Sequence, residues 1–257
     1  MLFCITYISG CIDISQPVNV NDTKPVYRVG VDVEYAPICY VDIDGSWVGF
    51  DVESIQWIGK EMGFEVVMVP FIWTNWLALL EYNRIDMIYK GMTITPERAE
   101  LINFSNPYLV VDQAVASHID SNYTMENFFE GKGKIGVRQG ATGEEWVVNN
   151  LVKDGVFSSS QIVQYDGLTL AFRHLSEKKI DFIVHDMPPM RHGIANLPQL
   201  TIIGTIETNE EYGIGLRKDD VELLQTLNEG LSRLMASPKW TELLEKYQLT
   251  AYTSTLN

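Results

Sequence analysis

The chain has 257 residues, 46% of them hydrophobic and 21% charged, a composition of one large or two ordinary globular units rather than of a disordered segment. Lys and Arg number 19 against 34 Asp and Glu, for a formal net charge of -15. No basic stripe interrupts this acidity, which excludes a nucleic-acid partner, since phosphate binding needs clustered cations.

The chain opens on an apolar run, Met1 to Cys11, too short to span a bilayer. Ile8-Ser9-Gly10-Cys11 resembles a lipobox, in which Cys11 would become a lipidated first residue, although no basic residues precede it. Residues 12–25 are polar and turn-rich, so residues 1–25 are expected to be a signal remnant and tether. From Tyr27 strands and helices alternate. Tyr27 to Asp32 is expected as a strand, Asp42 to Gly45 as a hairpin turn, and Val52 to Met62 as a helix stopped by Gly63. Glu65 to Val69 is a strand, Trp76 to Tyr82 a helix, and Ile85 to Tyr89 a strand. Thr95, Pro96 and Glu97 form a helix start, with a cap, a first-turn proline and an acid at the positive end of the dipole. Ala114 to Ser117 follows as a strand.

A second series then runs through strand Lys134 to Val137, loop Gln139 to Gly143, helix Glu144 to Val152 and strand Gln161 to Tyr165. Helix Leu168 to Ser176, strand Ile180 to Val184 and helix Met187 to Gly193 come next. Strands near Leu200 to Ile203 and Tyr212 to Leu216 precede two helices, Val221 to Ser237 and Pro238 to Tyr247. The pattern predicts an α/β fold of mostly parallel sheets with right-handed crossovers, in two lobes.

Ligands of open α/β sheets bind beyond the carboxyl ends of the strands. The residues expected there are Asp32 and Tyr35, then Trp73, then Lys90, Gly91, Thr93 and Arg98, then Arg138 and Thr142, then His185 and Asp186. Together they suit a zwitterion. An α-carboxylate needs a bidentate guanidinium and backbone amides at a helix start, which Arg98 and the Gly140-Ala141-Thr142 loop supply. An α-ammonium needs oxygens, from Asp186, the Gly91 carbonyl and the Thr93 hydroxyl. Tyr35 and Trp73 offer aromatic faces for an aliphatic or amide side chain. Singly, each residue also suits a plainer role: Arg98 a surface ion pair, Asp186 or Thr142 a cap, Tyr35 and Trp73 core. No P-loop, G-x-S-x-G or H-E-x-x-H motif occurs. His118, His174, His185 and His192 lack metal spacing, and Cys4, Cys11 and Cys39 form no CxxC pair, so neither metal nor cofactor is expected.

Several segments carry a family resemblance: Tyr35-Ala-Pro37, Gly49-Phe-Asp51, Gly91-Met-Thr-Ile-Thr-Pro-Glu-Arg98, Phe104-Ser-Asn-Pro-Tyr108, Gly136-Val-Arg-Gln-Gly-Ala-Thr142, Asp181-Phe-Ile-Val-His-Asp186 and Tyr212-Gly-Ile-Gly215. In this order and spacing the chain resembles the polar amino-acid group of family 3 solute-binding proteins of ABC importers, with the type II periplasmic binding fold. The resemblance implies a two-strand hinge, one lobe of residues 26–110 plus 206–257, and a second of 111–205. It implies Arg98, Thr93 and Thr142 on the α-carboxylate, Asp186 and the Gly91 carbonyl on the α-ammonium, and Tyr35 and Trp73 on the side chain. It also implies a monomeric extracytoplasmic receptor, not an enzyme, that delivers a free L-amino acid to ABC permease subunits. His185-Asp186 with a basic residue at 138 is similar to the glutamine-binding members, in which Asp32 and Arg138 would face the two ends of a carboxamide. Lys90 departs from the small residue expected before Gly91. If it reaches the pocket, an acidic side chain such as glutamate fits. Gly-Ala-Thr in place of Gly-Thr-Thr removes one hydroxyl. Cyclohexadienyl or arogenate dehydratase-like enzymes share this fold and are the alternative reading. A sensory domain is the other, and the lack of a signalling segment after Asn257 argues against it.

Overall fold

The computed structural model describes residues 24–253. The lipobox at Cys11 and the tether up to residue 23 lie outside the described residues. Strand β1 (Val26–Val31) is followed by a small antiparallel meander of β2 (Glu34–Tyr35), β3 (Cys39–Val41) and β4 (Trp47–Val48). The expected Asp42–Gly45 turn closes it, with the Gly45 amide donating to the Asp42 carbonyl at 2.9 Å. Then come α1 (Phe50–Met62), β5 (Glu65–Pro70), α2 (Trp76–Glu81), β6 (Met87–Thr93), α3 (Pro96–Leu101) and β7 (Asn103–Phe104). The long strand β8 (Leu109–His118) leads into α4 (Met125–Phe129), β9 (Ile135–Arg138), α5 (Thr142–Val147) and β10 (Ile162–Tyr165). The chain continues through α6 (Leu168–Ser176), β11 (Phe182–Asp186), α7 (Met187–Ile194) and β12 (Leu200–Leu216), and α8 (Val221–Met235) and α9 (Pro238–Lys246) follow.

Among the described residues nine strands share one sheet, in the order β10-β9-β11-β8-β12-β6-β1-β5 with β7 paired to β12. The outer triplets, β10-β9-β11 and β6-β1-β5, are parallel. The two central strands, β8 and β12, are antiparallel to each other and to their neighbours. Side-chain alternation divides several strands between two cores. In β6, Met87 and Tyr89 join one cluster and Ile88 and Met92 another. In β11, Ile183 joins a third and Phe182 and Val184 a fourth. β8 begins in the first cluster with Leu109 and Val111 and passes into the last two with Ala114, Val115 and Ala116. β12 makes the reverse passage, from Leu200 and Ile206 to Tyr212, Ile214 and Leu216. These two strands therefore join two halves with separate cores.

Three sequence expectations change. The separate strands at 200–203 and 212–216 are one 17-residue strand, and 114–117 falls in the C-terminal half of a 10-residue one. The polar residues in both, such as Gln113 and Glu210, break the apolar alternation that marks a strand, yet backbone pairing carries through them. The expected helix at 144–152 starts earlier, at Thr142, and loosens into a π-helical turn over Val148–Val152. The strand expected to stop at Tyr89 runs on to Thr93, so Lys90, Gly91 and Thr93 lie within it rather than beyond its end.

Gly49 seats α1 beneath the site. Its φ of 127° lies where only glycine is comfortable, and a Cβ there would meet the Ile38 carbonyl oxygen at 2.3 Å. Its amide donates to the Tyr247 hydroxyl at 3.1 Å. Gly49→Ala is expected to cost about 2 kcal/mol or more. Urea unfolding tests this, and a loss below roughly 0.5 kcal/mol would contradict the strain.

Candidate functional site

The cleft between the two halves holds a small, nearly filled cavity. Each sequence-predicted site residue is buried, and all but one border this cavity. Tyr35, Trp73, Lys90, Gly91, Thr93 and Arg98 come from one half, and Arg138, Thr142, His185 and Asp186 from the other. Asp32 is the exception. It sits behind the cavity, where it accepts from Arg138 Nη2 and lies 3.7 Å from Lys90 Nζ. Burial raises the Asp32 carboxyl, and the two cations more than reverse this, holding it below the ordinary carboxylate value.

Arg98 rises from the first turn of α3, fixed by the Thr95 cap, whose hydroxyl accepts from the Arg98 amide at 3.2 Å. Its guanidinium donates to two carbonyls, Thr93 at 2.8 Å and Gly140 at 3.3 Å, and lies 5.1 Å from the Trp73 ring. Among the described residues no carboxylate pairs with it, whereas the other buried cations, Lys90 and Arg138, both face Asp32. Trp73 Nε1 also donates to the Gly140 carbonyl, at 2.9 Å, so one peptide of the second half anchors two side chains of the first.

The Gly140 loop differs from expectation. Its Gly140 amide donates to Glu144 at 2.6 Å, and its Ala141 amide to the Arg138 carbonyl at 3.1 Å, so neither points outward for an anion. Ala141, not Thr142, occupies the cap position, and the Thr142 hydroxyl donates to Glu210 at 2.5 Å. The Thr93 hydroxyl donates to the same carboxylate at 2.9 Å. Asp186 accepts from the hydroxyls of Tyr35 and Tyr212 and from Gln113 Nε2, the last at 2.7 Å. The same Gln113 nitrogen lies 2.8 Å from Glu210. Burial opposes the Asp186 charge, but the His185 ring and the Tyr212, Tyr35 and Gln113 donors outweigh it and keep the carboxyl below its ordinary value. Burial and the charge of Asp186 push Glu210 the other way, upward.

Glu210, Gln113 and Tyr212 were not among the expected site residues. Gln113 was detectable as a polar residue inside an apolar strand, and Tyr212 belongs to a motif quoted above. Glu210, among other acids, carried no such signal. His185 packs edge-on to Tyr35 with centroids 5.6 Å apart, and neither ring nitrogen has a hydrogen-bond partner among the described residues. Burial pushes it down to about 4, so the ring is neutral near pH 7.

Beneath the cavity, Gly91 takes a φ of +67°, with Tyr212 and Tyr35 ring carbons 2.8 and 3.0 Å from where a Cβ would stand. Its amide donates to the fully buried Asp51 at 2.6 Å, and the Tyr108 hydroxyl donates to the same oxygen at 2.7 Å. Asp51 thus sets the Gly91 peptide plane. Cys39 is buried in the same core, as expected for a small apolar residue.

The family model of bacterial extracellular solute-binding proteins, family 3, matches residues 27–250. The chain belongs to that family. As a family 3 protein it is 28% identical to the L-cystine-binding protein TcyJ of Escherichia coli, over 85% of this chain and 81% of that one. A solved structure of an ancestral arginine-binding protein bound to arginine matches with a TM-score of 0.79 at 29% identity, covering 87% of this chain and 98% of the other. An ancestral arginine-binding protein bound to glutamine also matches at 0.79, with 30% identity over 88% and 99% of the two chains. The fold is the two-lobed type II periplasmic binding fold, its halves joined by β8 and β12. No helix among the described residues is long and apolar enough to cross a membrane.

Burial pushes Asp51 up from 3.8 to about 8, against the Tyr108 and Gly91 hydrogen bonds that favour its charge. The folded state then keeps a proton that the unfolded chain has released, so this carboxyl lowers stability as pH rises through that window. Asp51→Asn keeps the shape and both hydrogen bonds without titrating. Its stability relative to wild type is expected to grow between pH 3.8 and about 8. Urea unfolding across that range checks it, and a pH-independent difference would mean that Asp51 is ionised in the fold.

Proposed function

We propose that this protein is an extracytoplasmic receptor that captures one free polar amino acid by hinge closure and hands it to an ABC importer. The observation that carries the reading is Arg98, a buried guanidinium that among the described residues donates only to carbonyls and borders the cavity. An α-carboxylate there would complete a bidentate, charge-assisted pair. Asp186 would take the α-ammonium. Its two oxygens accept three hydrogen bonds within the protein and offer about four lone-pair sites. The Gly91 carbonyl and Thr93 lie beside it. The related structures of ancestral arginine-binding proteins, one bound to arginine and one to glutamine, support a common main-chain grip, with the side chain left to local groups.

Residues 26–110 with 206–257 would form one lobe and 111–205 the other. Each supplies half of the ligand shell, so ligand would favour the closed state. Among neutral side chains glutamine fits best, its amide carbonyl toward Arg138 and its NH₂ toward the His185 side of the cavity, since Asp32 lies behind it. One observation favours glutamate as a second reading: Lys90 is 3% exposed and borders the cavity instead of reaching solvent. The receptor would act as a monomer docking on permease subunits. It would not be a catalyst, because Arg98 and Asp186 match an intact zwitterion; turnover of prephenate or arogenate would contradict this.

A thermal-shift screen against the twenty amino acids is expected to raise the melting temperature with glutamine or glutamate. Arg98→Ala should weaken that ligand by several kcal/mol, about a thousandfold or more, as for truncating a buried charge pair. Calorimetry showing unchanged affinity would remove Arg98 from the site.

A further inference from the structure

Lys90 occupies a particular place. Its Nζ is 4.0 Å from the Trp73 ring centroid and 4.1 Å from that of Tyr35, so the ammonium stands over both aromatic faces. Its carboxylate partner is Asp32, 3.7 Å away. Two aromatic faces and a carboxylate are what a protein uses to recognise a cation, since the ring quadrupoles attract positive charge within about 6 Å. Here all three are engaged by the chain's own lysine.

The second cation sharpens the point. Arg138 bonds the same Asp32 carboxylate, and its guanidinium lies 5.7 Å from the Tyr35 ring. Two positive groups thus share one negative group at this end of the cavity. Burial, and next the nearby Arg138, push Lys90 down to about 8, which leaves it mostly protonated near pH 7. A lysine is almost never buried to this degree unless paired, because desolvation of its charge is costly, and the one carboxylate that Lys90 pairs with is shared with Arg138. Nothing in the packing of β6 demands it either. Met87, Ile88, Tyr89 and Met92 of that strand fill apolar clusters, whereas Lys90 turns to the cavity.

We infer that Lys90 is a specificity-determining residue: its ammonium takes the position in the Tyr35–Trp73 clamp that the cation of a basic amino acid would take, and so turns such ligands away. This rests on the amino-acid-receptor reading above. The site as built then accepts side chains that are neutral or carry a carboxylate able to meet Lys90 and Arg138.

The test is calorimetry of the full chain with arginine, glutamine and glutamate, on wild type, Lys90→Ser and Lys90→Met. Serine opens the clamp and removes the charge. Methionine keeps most of the volume without the charge, so it should fold even if serine leaves a damaging cavity. The wild type is expected to bind glutamine or glutamate far more tightly than arginine. The affinity of arginine relative to the better of the other two is expected to rise by about tenfold or more in at least one variant. A smaller change in both, with the wild type still binding an amino acid, overturns the role of Lys90 alone. A wild type whose melting temperature none of the twenty amino acids raises in the thermal-shift screen, and which binds none of the three by calorimetry, overturns the receptor reading, and this inference with it.

Discussion

A guanidinium removed from water without a directly paired carboxylate is costly, and among the described residues Arg98 is such a group. It is 9% exposed and donates to the Thr93 and Gly140 carbonyls. Carbonyls satisfy its hydrogens but not its charge, so the site keeps a standing affinity for an anion of matching shape. Much of the local structure serves to hold that group in place. The Thr95 cap and Pro96 start α3 at the one residue that aims the arginine inward. The Trp73 ring covers one side of it, and the Trp73 indole is tied to the same Gly140 carbonyl that the arginine uses.

The two long strands connect this grip to the architecture. Gln113 lies on β8 and Glu210 on β12, the strands that pass from one set of cores to the other. Gln113 bridges Asp186 to Glu210, and Glu210 collects the hydroxyls of Thr93 and Thr142 from opposite halves. The register between β8 and β12 shifts on both sides of Ile206, in the stretch before Glu210. Strand pairs bend most readily at such irregularities. The polar network thus sits at the irregular stretch of the two connecting strands, and under the proposed closure a group that changes the balance of Asp186 and Glu210 would also act on the angle between the halves.

The sequence made the outer sheet triplets legible, because β1, β5, β6, β9 and β11 are short runs of apolar or β-branched residues between turn signals. It also placed Arg98, Asp186, Tyr35, Trp73 and His185 at one cavity, since chain direction alone puts strand ends and helix starts on the same rim. It failed where polar side chains interrupt a strand. β12 read as two strands because Gly204 and the Thr208–Glu211 segment resemble a loop, although the partner β8 supplies the pairing. It failed again with Asp32. A carboxylate after a strand reads as a ligand contact, and only the distances reveal that Lys90 and Arg138 stand in front of it. The small-residue loop at Gly140 read as an anion cradle, but Glu144, four residues on, folds back to take that amide. Local patterns show which groups are available. They do not show which have already found each other.

Charge balance draws these contacts together. Three cations, Lys90, Arg98 and Arg138, border the cavity of a protein whose net charge is -15. Against them stand Asp186 at the rim and Asp32 behind, both held ionised, and Glu210, which is pushed toward its neutral form. A zwitterion adds no net charge, so the imbalance at the side-chain end persists after the main chain is gripped. A guest with a positive side chain would enlarge it, a neutral one would leave it, and a carboxylate would cancel it. In a cleft from which water is excluded, such differences are felt far more strongly than at an exposed surface. The same acidic surface that disfavours anions at long range is screened within about 10 Å at ordinary ionic strength, so the choice among ligands falls to the few groups inside.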